Sequence, residues 1–206
     1  GNSVMANIAS PRSSGLFQHA VAMSGGGIMA KYPAFGSPRP LDVALKAGDD
    51  FAKAAGCDAN DAACLRGLST SDILKAQNPY ALNEFVIDGK ILPEHPGDAF
   101  RKGNFNPVTL VSGSNRDEGR FFVAVSEHLK GKTPTDETYP QWIEQQFGQK
   151  LAAAVMKEYP VSASTDAVEA FSAAATDSMF SCPGRAMHSA ISATSPVYAY
   201  EFSDRT

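Results

Sequence analysis

The paired carboxylates Asp117-Glu118, set between Arg116 and Gly119, and the hydroxyl of Ser24 before Gly25-Gly26 have the types and settings that suit hydrolytic chemistry. A carboxylate can orient a histidine and face its imidazolium in such chemistry. By residue type alone, Glu118 reads as a solvated loop glutamate and Ser24 as a turn hydroxyl bonded to its own backbone. The nucleophile is missing. Gly1-Asn2-Ser3 starts like a nucleophile elbow, but position 5 is Met5, so Gly-x-Ser-x-Gly is satisfied nowhere, and Ser3 is expected to be a buried helix residue. His19 starts a strand, His95 sits among prolines, His128 lies in a polar stretch and His188 falls in a helical pattern; each is expected to be structural or at the surface. Neither a His nor a second Cys stands at ligand spacing near Cys57, Cys64 or Cys182, so no metal is expected.

Three short apolar runs read as buried parallel strands able to carry these side chains: 19–24 (HAVAMS), 107–112 (PVTLVS) and 196–202 (PVYAYEF). About eighty residues of helical pattern separate consecutive runs. Leu41, Ala44, Leu45, Phe51, Ala52 and Ala55 recur at helix spacing behind the proline-rich 37–40, which suits a helix start. Trp142, Ile143, Phe147, Leu151, Val155 and Met156 form a second stripe, and 167–175 and 183–191 suggest further helices. Strands alternating with helices predict an α/β fold with a mostly parallel sheet and helices on both faces. Three such strands leave two unpaired edges, a pattern that looks like part of a larger sheet.

A chain of 206 residues, 43% hydrophobic and 19% charged, is enough for one domain, and no repeat, linker or low-complexity tract divides it. A net charge of -4 with no Lys/Arg block gives no footprint for nucleic acid or an anionic membrane. No apolar run approaches the roughly 20 residues needed to span a bilayer. Cys57 and Cys64 bracket a short segment. From spacing alone, a bridge there and two reduced thiols are equally open, and closing so short a loop would contribute about 2.5 kcal/mol. Cys182 is left either as a buried free thiol or as a residue that pairs outside the chain. Gly1-Asn2-Ser3-Val4-Met5 has no initiator Met, basic region or apolar region, so export is not readable from it.

Read in order, several segments resemble the type-B carboxylesterase family, which includes the cholinesterases. The stretches 1–11 (GNSVMANIASP) and 15–26 (GLFQHAVAMSGG) are similar to the segment directly after that family's nucleophile elbow; 86–93 (VIDGKILP) and 103–105 (GNF) lead into 110–119 (LVSGSNRDEG), similar to its acid loop. Weaker matches occur at 57–66, 177–183 and 198–200. The resemblance implies an α/β-hydrolase fold, with residues 1–206 as a central to C-terminal part of one domain, running from just after the elbow to just before the catalytic histidine. It implies that Glu118 is the triad acid, that Ser24 bonds near the acid and histidine, and that Cys57 and Cys64 are bridged. Phe121 and Phe122 then stand where family members line the gorge, and Ile28 and Met29 where the acyl pocket is walled, with Tyr80 and Leu82 as weaker candidates of the same kind. The implied activity is hydrolysis of small carboxylic esters through an acyl-enzyme, without metal or organic cofactor, in a secreted or periplasmic parent protein; this chain alone is expected to be inactive. The alternative is a non-catalytic, adhesion-type relative that binds protein partners.

Overall fold

The computed structural model describes residues 1–31, 34–77, 85–126 and 131–204. Helix α1 (Asn2–Ala9) leads to β1 (His19–Met23); β2 (Arg39–Pro40) runs into α2 (Leu41–Ala54), α3 (Ala62–Gly67) and α4 (Thr70–Ala76). After β3 (Val86–Ile87) come α5 (Pro96–Lys102), β4 (Thr109–Asn115), α6 (Glu118–Ser126), α7 (Tyr139–Phe147), α8 (Gln149–Glu158), α9 (Ala167–Thr176), α10 (Cys182–Ile191) and β5 (Val197–Phe202). His128, Tyr80 and Leu82 lie outside the described residues.

The three apolar runs form one parallel sheet in the order β1-β4-β5, with Ala20 opposite Leu110 and Leu110 opposite Val197. Successive strand residues face opposite sides, so Ala20, Ala22, Leu110 and Ser112 are buried while Val21, Met23, Val111 and Tyr198 are exposed. The buried side packs with Met5 and Ile8 of α1, Ile28, Phe100 of α5, and Met187 and Ile191 of α10 in one core. The described residues supply no covering layer for the other side, on which Val21, Met23 and Tyr198 are more than half exposed at 57%, 64% and 62%. A second core joins α6 to α9 through Val123, Tyr139, Ile143, Ala152, Phe171 and Ala174. A short parallel pair, β2 with β3, stands apart from the main sheet.

Local chemistry sets the element ends. Pro96 fits the first turn of α5, His95 caps it by accepting the Gly97 N–H, and Gly103 ends it at φ 79°, where a side chain is disfavoured. Gly148, at φ 79° and ψ 153°, divides the helical stripe from Trp142 to Met156 between α7 and α8, because that conformation leaves the helical region while the apolar spacing runs on unbroken. Helix α9 passes into α10 through a π-helical turn, Asp177–Ser181. Ser3, expected to be buried, is exposed; α1 turns Met5, Ile8 and Ala9 inward and leaves Ser3 on its outer side. In α2 only Ala52 of the expected stripe is fully buried, and Leu45 is exposed.

Cys57 and Cys64 form a disulfide with Cα atoms 5.8 Å apart, whereas Cys182 is free and exposed, which removes the buried-thiol alternative. The bridge spans a sequence separation of 7 between α2 and α3. Replacing both cysteines by serine is expected to lower unfolding stability by about 2.5 kcal/mol in urea titrations, since the shortest loops lose the least chain entropy on closure. An unchanged denaturation midpoint would show that the bridge constrains nothing that folding orders.

Candidate active site

Ser24 directly follows β1, and its φ of 55° makes it the one non-glycine residue with left-handed φ among the described residues. Such a conformation costs a non-glycine residue roughly 1–2 kcal/mol and persists where its surroundings over-determine it. Here the Ser24 N–H donates to the Gly113 carbonyl at 2.8 Å, fixing the turn to the end of β4. Gly1 packs on the other side, so closely that a Cβ there would lie 2.2 Å from the Met23 carbonyl oxygen. The turn aims the Ser24 hydroxyl at Glu118, and Oγ donates a hydrogen bond to Glu118 Oε1.

Glu118 opens α6 immediately after β4, rather than lying in the middle of a loop. Its Oε1 also accepts the Asn115 N–H at 3.0 Å, and the loop is tied to β5 by the Arg116 N–H donating to the Phe202 carbonyl at 2.9 Å. Oε1 is therefore held twice, while Oε2 has no partner among the described residues. Asp117 is engaged differently: its carboxylate pairs with the Arg116 guanidinium and lies 3.8 Å from Arg120 Nε. The helix start is seated on α9, where the Gly119 N–H donates to Thr176 Oγ1 at 2.8 Å.

On a helix, residues three and four positions on share a face with the first, so Phe121 and Phe122 stand beside Glu118. Phe122 packs edge-on against Phe35 with centroids 5.0 Å apart and tilts against Phe180 at 5.6 Å; Phe121 is 65% exposed and touches Phe122 edge-on. Ile28 and Met29 are buried, packed in the main core behind the Gly26–Met29 turn. A cavity of about 280 Å³ opens at the carboxyl ends of the strands, lined among others by Ser24, Ser112, Ser114, His188 and Tyr200. In open α/β sheets that end is where ligands bind. A larger cavity of about 750 Å³ lies beside α1, walled by Phe85, Ile91 and Leu92, and contains neither Glu118 nor Ser24. Its carboxylate, Asp88, accepts the backbone N–H groups of Lys90, Ile91 and Leu92, which hold its pKa below the usual range; it makes a turn rather than a reactive group.

None of the described histidines hydrogen-bonds to Glu118. His95 is occupied at both nitrogens, by the Ala30 carbonyl and the Gly97 N–H. His19 is exposed at the start of β1. His188 has Nε2 buried without a hydrogen-bond partner, and burial lowers its pKa, which keeps the ring neutral at pH 7. Among the described residues no cluster of His, Cys, Asp or Glu could hold a metal. Phe35, Phe180 and Thr176, all in contact with the Glu118 helix, were not singled out by the sequence; no local pattern marks residues that converge on α6 from two distant segments.

Parallel strands in this order, with Ser24 and Glu118 at their carboxyl ends and helices packed on them, define the class as an α/β-hydrolase fold. A model of the Carboxylesterase family matches residues 1–206, and the chain belongs to that family. It is 29% identical over 213 residues to the para-nitrobenzyl esterase of Bacillus subtilis, covering 98% of this chain and 40% of that protein. It is 32% identical over 141 residues to the acylcarnitine hydrolase of Mus musculus, covering 65% of this chain and 24% of that one. A solved PNB esterase superposes with a TM-score of 0.70 at 27% identity, over 99% of this chain and 42% of its own. The chain thus spans between a quarter and about two fifths of the length of these proteins.

Proposed function

We propose that this chain is the acid-bearing part of a serine carboxylic-ester hydrolase, in which Glu118 orients a histidine and the serine and histidine come from chain outside residues 1–206. The observation that carries this reading is the state of Glu118, with Oε1 held by Ser24 and Asn115 and Oε2 left for an imidazole N–H. In such a site the serine attacks the ester carbonyl as the histidine takes its proton; the carboxylate faces the imidazolium, and the histidine returns the proton to the departing alcohol. Water then repeats the sequence on the acyl-enzyme and releases the acid. Ser24 and the Asn115 N–H keep the carboxylate from rotating between these steps.

Phe121 and Phe122 line the apolar part of the substrate site, and Ile28 and Met29 back it from the core; rings and aliphatic walls favour small esters over charged polymers. Net charge of -4 agrees with a small-molecule substrate rather than nucleic acid. The Cys57–Cys64 bridge supports a secreted or periplasmic site of action, and no described helix is long and apolar enough to cross a membrane.

The test uses both forms. The 206-residue chain is expected to hydrolyse an activated aryl ester no faster than its Glu118→Ala variant, while the complete enzyme turns over and is labelled once by a serine-directed phosphonate. Turnover by the short chain that is lost on Ser3→Ala or Ser24→Ala would overturn the assignment of the nucleophile, and absence of both turnover and labelling in the complete protein would overturn the enzymatic reading.

A further inference from the structure

The backbone immediately after Glu118 is gripped from a helix that the acid loop does not otherwise need. Gly119 N–H is one of the first-turn donors of α6 that have no partner within their own helix. It is satisfied by the buried Thr176 Oγ1 at 2.8 Å, across a sequence separation of 57. The Thr176 hydroxyl has a single proton, and it donates that proton to the Ser172 carbonyl at 2.8 Å. Its oxygen is thereby left to accept, so the direction of the Gly119 bond is fixed. A threonine near the end of a helix often bonds back to the carbonyl four residues earlier; what is added here is the second bond, across to another helix.

The surrounding packing makes that bond the defined link at the acid turn. Gly119 lies so close to α9 that a Cβ would fall 2.1 Å from the Ser172 carbonyl oxygen and 3.0 Å from Thr176 Oγ1. A second polar tie between these two helices, Arg120 with Glu169, joins side chains about half exposed and is screened by solvent. Thr176 itself is 3% exposed, so water does not replace the hydroxyl if it is removed, and the Gly119 N–H would be left unpaired.

We propose that Thr176 is a positioning residue for the reaction: through the Gly119 N–H it sets where α6 begins on α9, and so where the Glu118 carboxylate stands relative to Ser24 and the histidine. It touches neither substrate nor the reacting atoms. This inference rests on the serine-hydrolase reading for its kinetic consequence, but not for its structural one. Loss of the hydroxyl displaces the start of α6 and with it the carboxylate, which acts on the transition state more than on substrate binding.

The experiment is done in the complete enzyme with Thr176→Val, which keeps the shape and removes the hydroxyl, and Thr176→Ser, which keeps the hydroxyl. Thr176→Val is expected to lower kcat about tenfold with KM changed less than about twofold, and Thr176→Ser to restore kcat to within about twofold of the parent. Should Thr176→Val fail to fold, Thr176→Ala carries the same comparison against Thr176→Ser. A hydroxyl-free variant that loses thermal stability but keeps kcat, or an equal loss of kcat in Thr176→Ser, overturns the proposal. A crystal structure of the hydroxyl-free variant separates the two readings: Glu118 displaced from Ser24 supports the positioning role even if the parent shows no esterase activity, and Glu118 unmoved refutes it.

Discussion

Glu118→Gln in the complete enzyme is expected to fold normally and to lose at least about 10² in kcat, approaching the roughly 10⁴ lost on acid-to-amide exchange in a Ser-His-Asp triad. The hydrogen bonds of the site explain why geometry and catalysis should part company. The amide oxygen of glutamine can still accept from the Ser24 hydroxyl and the Asn115 N–H, both of which now meet Oε1. The amide nitrogen then occupies the place of Oε2 and offers hydrogen where the histidine also offers hydrogen. The tautomer is no longer held and the imidazolium faces no negative charge. Asp117→Asn removes a carboxylate paired with Arg116 and near Arg120 on a partly exposed surface, an interaction worth at most about 1 kcal/mol, and should leave kcat within a few-fold. Both variants belong in one experiment, matched for Tm before kcat is measured. A crippled Asp117→Asn beside a mild Glu118→Gln would put the acid on the wrong carboxylate.

A large loss of stability is expected from Gly119→Ala. The added methyl would sit 2.1 Å from the Ser172 carbonyl oxygen, a backbone atom that cannot swing aside, so α6 and α9 must separate at the point where Thr176 joins them. Overpacking of this kind costs about 3 kcal/mol, and the broken Gly119–Thr176 bond adds to it. Gly48→Ala provides the opposite sign from the same substitution. Gly48 is exposed within α2, and a Cβ there meets nothing within 4 Å, so alanine should stabilise the chain by about 0.5–1 kcal/mol through the unfolded state and helix propensity. Denaturant titration of the two variants measures both; Gly119→Ala within about 1 kcal/mol of the parent would mean that α9 yields more readily than its packing implies.

The strands were legible because each is a short apolar run, although only β1 alternates cleanly between core and solvent and β5 is exposed along nearly its whole length, and the parallel order follows from the long helical stretches between them. The apolar stripe over 142–156 was misleading in one respect: spacing records which side a residue packs on, not whether the backbone turns between two helices that pack on the same core, and Gly148 was the only mark of the turn. Glu118 and Ser24 were legible as partners through the family resemblance and not through their own surroundings, for they are 94 positions apart and meet only because β1 and β4 are neighbours. The left-handed backbone of Ser24 left no trace, since no residue type announces it where glycines already crowd the turn. Thr176 was invisible for a related reason: its side chain serves a backbone N–H, and any residue but proline offers one.

In the proposed site, Glu118 Oε2 holds the imidazole of a histidine contributed from outside residues 1–206. The most direct measurement is the low-field proton resonance of an imidazole N–H bonded to a carboxylate, recorded for the complete enzyme and for Glu118→Gln and Asp117→Asn. The resonance is expected in the parent, retained in Asp117→Asn and lost in Glu118→Gln. Its survival in Glu118→Gln, or its loss in Asp117→Asn alone, would put the histidine's partner elsewhere than Glu118.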